Sequence, residues 1–175
     1  MDGAAGHGPR QPRPLLKQVD GPTGARMCVL RVAGTQFDAD KYLALSGLEA
    51  TTVFHRGEPR SAAKPSGKLN GHSGFTVDVS DASRDGIGGQ ITDAIAFLKE
   101  NGNAVRMLRA APGVEDVFLD FPVDLRIDGV NVIVQSDYLS PELVSLAGAL
   151  GLGIEISIYP RDLEELARGM TEGAG

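Results

Sequence analysis

The run VFLDFPVDLRIDGVNVIV, residues 117–134, decides the fold class. Val117, Leu119, Phe121, Val123 and Leu125 recur at every second position, and Val130, Val132 and Val134 do so again. Successive side chains of a strand point to opposite faces, so this alternation describes strands with one apolar and one polar face. A sheet covered on both sides would instead read as continuous apolar runs. Between the two runs stands Asp128-Gly129, a pair favoured in two-residue type I′ hairpin turns. Such a turn would set Ile127 opposite Val130, Leu125 opposite Val132, Val123 opposite Val134 and Leu119 opposite Tyr138, all on one face. The sequence therefore predicts a hairpin. Pro122 lacks an N–H for a ladder, which predicts an edge strand or a bulge.

Working outward, the same logic places the other elements. On the C-terminal side, Ser140-Pro141 reads as a helix start, with Ser as N-cap and Pro in the first turn. Leu143, Leu146, Ala147 and Leu150 form its apolar stripe, and Gly151 suits the left-handed stop. Residues 154–159 alternate again as a last strand, ended by Pro160, and residues 161–170 read as a short polar helix. On the N-terminal side, residues 26–33 read as the first strand. Asp38 caps a helix, Phe37 and Tyr42 form a hydrophobic staple, and Gly47 ends it. Residues 48–55 read as a second strand and 75–80 as a third. A helix from about Gly89 carries a stripe of Ile87, Ile91, Ala94, Ile95 and Leu98. Asn101-Gly102-Asn103 interrupts it before a second helical piece with Val105, Leu108 and Ala111. The order predicts a two-layer α+β domain: a mostly antiparallel or mixed sheet, helices on one face, ferredoxin-like in flavour.

The chain has 175 residues, 42% of them hydrophobic and 23% charged, with a formal net charge of -6. That suits one domain and excludes wholesale disorder. We expect a single domain at 27–160, a disordered and dispensable tail at 1–26, and a fraying C-terminus at 161–175. The acidic balance, the absence of Trp and an aromatic content of 5% count against a nucleic-acid binder. No stretch has the length of a membrane span, and the Gly- and Pro-rich start is no signal peptide. The one cysteine, Cys28, sits in an apolar run and reads as a buried core thiol in a reducing, cytoplasmic setting.

Three segments together resemble a bacterial family. GLEATTVFHRGEP (47–59), AAPGVEDVFLDF (110–121) and YLSPELVSLAGALGLGIEISIYP (138–160) are similar to the family known as domain of unknown function 4279. The resemblance spans roughly residues 27–160. Phe75 departs from it, since Trp is expected after the loop. The resemblance implies a small bacterial α+β domain and brings no catalytic residues.

Two surfaces stand out as candidate sites. The segment RGEPRSAAKPSGKLNGHSG, residues 56–74, has no periodicity. Arg56, Arg60, Lys64 and Lys68 face only Glu58 there, and His55 and His72 flank them. In an acidic chain this local positive island would steer an acidic or phosphorylated ligand. The second surface is the polar face of the sheet, where Asp116, Asp120 and Asp124 align with Asp78 and Glu155. Phe118, Ile133 and Tyr159 share that face and would make it a docking surface for a protein partner or a homodimer. The histidine spacing fits no metal template, and Asp85 to Gly89 lacks the spacing of a phosphate-binding loop. Nucleophile-elbow, Walker, H-E-x-x-H and C-x-x-C motifs are absent. The expectation is a non-enzymatic binding or regulatory domain of the immunity-protein type, engaging a protein partner. It has no cofactor or metal and contacts neither nucleic acid nor membrane. The alternative is a small anionic-ligand binder or an enzyme using the basic 55–72 loop.

Overall fold

The computed structural model describes residues 27–160. The tail expected at 1–26 and the polar helix expected at 161–170 lie outside the described residues. Five strands form one mixed, open sheet: β1 (Val29–Gly34), β2 (Thr52–Phe54), β3 (Ser73–Asp78), β4 (Asp116–Asp124) and β5 (Gly153–Tyr159). Four helices connect them: α1 (Ala39–Ser46), α2 (Ile87–Glu100), α3 (Gly102–Leu108) and α4 (Pro141–Leu150). The strand order is β2-β3-β1-β4-β5. The first three neighbour pairs are antiparallel, and β4 runs parallel to β5. The first four strands thus have the order and directions of the split βαβ, ferredoxin-like arrangement. The α4–β5 unit adds a parallel strand outside β4.

Local chemistry explains the helix ends. The Asp38 carboxylate accepts from Lys41 N–H at 3.0 Å, and Gly47 closes α1 at φ 71°. The Ser140 hydroxyl accepts from Leu143 N–H at 3.2 Å, Pro141 occupies the first turn, and Gly151 closes α4 at φ 75°. Each cap satisfies backbone groups that the helix cannot pair internally. The staple expected at α1 is present, with Phe37 and Tyr42 ring centroids 5.9 Å apart. Phe75 from β3 joins both rings. The Tyr42 hydroxyl donates to Ala104 O, tying α1 to α3, and burial raises its pKa to about 12.

The core lies between one sheet face and the helices. Leu30, Val32, Phe75, Leu119, Phe121 and Val123 meet Ile91, Ala94, Leu98, Leu108 and Leu143 there. Cys28 is fully buried in the same layer. Loss of hydration, with the Asp120 and Asp93 charges, pushes its thiol pKa far up, so it is inert at neutral pH. Gly34 and Gly113 let the turn after α3 cross the end of β1. A Cβ on Gly34 would stand 1.8 Å from Gly113 O, and Gly113 itself has φ 80°.

The hairpin expected at 117–134 does not form. Residues 125–140 leave the sheet as a loop, and the neighbour of β4 is β5. A type I′ turn needs positive φ at both central residues. Gly129 has φ 75°, but no described non-glycine residue has positive φ, so Asp128 does not adopt it. The Asp128 carboxylate instead accepts from Val130, Asn131 and Val132 N–H at 2.8–2.9 Å, closing a local loop. Leu119 then pairs with Ile154, Phe121 with Ile156 and Val123 with Ile158. Pro122 lies two positions beyond the stretch paired with β1, so its missing N–H costs no ladder bond there. Its carbonyl accepts from the buried Gln90 amide at 2.8 Å.

Candidate functional site

The segment at 56–74 is not formless. Beyond β2 and β3 the chain continues as a two-stranded arm. Gly57 N–H donates to Asn70 O, Asn70 N–H to Glu58 O and Arg60 N–H to Lys68 O, while Pro59 and Leu69 bridge. The arm's base gathers three of the expected residues. The His55 ring is held between two carboxylates, Asp40 at 2.8 Å and Glu58 at 3.1 Å. Those hydrogen bonds raise its pKa, because both ring nitrogens find acceptors when both carry protons. Arg56 reaches Thr35 O at 3.4 Å, and His72 stands 3.8 Å from Glu115. Glu115 is held below the usual carboxylate range by hydrogen bonds from Thr35, helped by His72 and Arg56. Arg60 and Lys64 stand apart, farther along the arm. Arg60 donates to Leu69 O at 3.3 Å, and Lys64 lies exposed near the tip.

Three acids therefore neutralise much of the island that the sequence suggested. Glu58 is local, but Asp40 comes from α1 and Glu115 from the turn before β4. Counting charges within the segment could not find the latter two. Among the described residues, no group of three or more His, Cys, Asp and Glu side chains is arranged to hold a metal. No described helix is long and apolar enough to cross a membrane.

The polar face of the sheet also differs from an open acidic surface. Asp120 is buried, paired with Arg31 at 3.1 Å and accepting from Ser157 at 2.6 Å. Asp124 pairs with Arg84 at 3.3 Å, and the same guanidinium lies 5.2 Å above the Tyr159 ring. Phe118 does share this face by register but is only 6% exposed, so it offers little to a partner. Ile133 is not on the sheet at all. It sits in the 125–140 loop, 75% exposed.

That loop is the unforeseen feature. Its polar side chains hold the backbone. Gln135 accepts from Arg126 N–H at 2.9 Å and donates to Asp124 O at 3.3 Å. The Arg126 guanidinium pairs with Asp137 at 2.7 Å, and Asp128 closes its turn. The Asp128 pKa falls to about 2 because three N–H groups point at its carboxylate. Its apolar side chains are turned outward: Val130 is 83% exposed, and Val134 and Tyr138 are as open as Ile133. The alternation visible in the sequence marked these residues as strand-like, but only the chain path reveals that they face solvent.

The molecule is thus an α+β domain with one helix-covered sheet face, a polar arm and an apolar loop. A scan against protein-family models, a search of curated proteins and a search of solved structures each find no match.

Proposed function

We propose that this chain is a non-enzymatic protein-binding domain whose docking surface is the apolar loop at 125–138. One observation carries the reading: the loop is organised inside out. Arg126, Asp128, Gln135 and Asp137 are spent on holding the backbone, while Val130, Ile133, Val134 and Tyr138 stand in water. Clustered exposed apolar groups are unfavourable unless something covers them. A loop fixed beforehand loses less entropy when it is covered. A regulatory or immunity-type role in a bacterial cytoplasm suits a small domain that acts by occupying its partner.

The test is affinity purification of the tagged full chain from the cells that make it. A protein held at one-to-one stoichiometry by the wild type, and lost with Ile133→Asp plus Val134→Asp, supports the reading. In the purified complex that protein should protect the amides of 125–138 from hydrogen exchange. A partner retained equally by the double variant contradicts it.

A second reading draws on Arg56, Arg60 and Lys64 in the arm, which would attract a small anion. The carboxylates of Asp40, Glu58 and Glu115 at its base oppose this. Thermal stabilisation by inorganic phosphate or pyrophosphate, abolished by Arg56→Ala with Arg60→Ala, would favour it over protein docking.

A further inference from the structure

We infer that β5 is a dimerisation edge, pairing antiparallel with β5 of a second copy of this chain about a two-fold axis at Ile156. The inference is independent of the loop reading, because it rests on the strand and its backbone. Among the described residues, β5 pairs with β4 alone and ends the sheet. Leu125 N–H donates to Tyr159 O at 2.7 Å, so the Tyr159 carbonyl points at β4. In a parallel ladder the N–H and C=O of one residue share a side, and neighbours alternate. The backbone groups of Gly153, Glu155 and Ser157 therefore also face β4, and those of Ile154, Ile156 and Ile158 face away.

Edge strands are usually guarded by shortness, Lys, Pro or a bulge. At the far side of the sheet, β2 has three residues. Within Gly153–Tyr159 there is no Lys or Pro, and the outward-facing residues are all isoleucines. Ile156 is 38% and Ile158 58% exposed, although their β4 neighbours Phe121 and Val123 are fully buried. Among the described residues, the apolar layer therefore runs to the sheet edge, with Ile154 half-buried and Ile156 and Ile158 open.

The sequence is self-complementary in one register. Centred on Ile156, the three outward residues all form hydrogen-bonded pairs. Ile156 meets the partner's Ile156, and Ile154 meets the partner's Ile158. Glu155 then lies opposite the partner's Ser157, so no like charges face each other. Sliding the pair one step toward the N-terminus would set Glu155 against the partner's Glu155. Sliding it the other way leaves Ile154 without a hydrogen-bonded partner. The product is a C2 dimer with an isologous joint and a continuous ten-stranded sheet built from two five-stranded ones.

The test is the mass of the full chain in solution across a concentration series. The wild type should sediment as a dimer that dissociates on dilution. Ile156→Pro should weaken it by about tenfold or more, since it deletes the two central N–H donors. The monomer fold tolerates Pro there because that N–H points away from β4. Ile154→Glu and Ile158→Lys should each weaken the dimer alone and restore it together, because the register sets the new charges opposite one another. Ile154 is half-buried against the core, so far-UV circular dichroism of each variant is matched to the wild type before its mass is read. Ile158→Lys alone, at the more exposed position, keeps the test valid if another variant fails to fold. A wild type that is monomeric throughout, a dimer untouched by Ile158→Lys, or a folded double variant no better than the singles would overturn the inference.

Discussion

Gln90 is fully buried, yet its role depends on a proline thirty-two residues away. Its amide donates to Pro122 O at 2.8 Å and to Ser83 O at 3.3 Å. It thereby supplies a donor where β4 has passed the end of β1. Gln90→Ala removes the donor and opens a cavity, so we expect a loss of about 2–4 kcal/mol in denaturant unfolding. Nothing around position 90 signals this, because the partner is set by tertiary placement. The caps at Asp38 and Ser140 were legible for the opposite reason: donor and acceptor lie within three residues. His55 shows the same divide. Its neighbour Glu58 is visible in the sequence, but Asp40 arrives from α1. Its folded pKa is raised, so its stabilising effect is complete below the unfolded value and disappears as pH rises through the folded one. We therefore expect His55→Asn to lower the melting temperature at about pH 5 and to leave it unchanged at about pH 9.

At the scale of elements, the alternation at 117–134 correctly marked β4 and the one-sided sheet, but the hairpin did not follow. Two segments compete for the free edge of β4. The Val130–Val134 stretch could reach it through a tight turn, and β5 reaches it through the α4 crossover. β5 wins with seven paired positions and three apolar cross-strand pairs. Asp128 makes the alternative turn self-contained by binding three N–H groups of its own loop. A dipeptide favoured in one turn type cannot reveal this, since it serves a side-chain-closed loop equally well. Asp128→Ala should speed amide exchange at Val130, Asn131 and Val132 while leaving β4 and β5 protected. Its carboxylate has a depressed pKa, so the loop's order should persist above the unfolded value of 3.8 and fail as pH falls through about 2.

For the whole molecule, the net charge of -6 is arranged unlike its linear distribution. The basic arm meets acids at its base, and the acids of the sheet meet Arg31 and Arg84. Among the described residues, two exposed apolar features stand beside these pairs: the 125–138 loop and the β5 edge. Fold class was readable because patterning reports one buried face per element. The docking surface was not, because the same pattern describes a side chain in the core and one turned to water. A photoreactive side chain placed at position 133 in the full chain, with a control at position 68 in the arm, tests the loop's role most directly. A discrete covalent adduct with a different protein is expected from position 133 and none from position 68. Adducts from position 68 with none from position 133 would contradict that role.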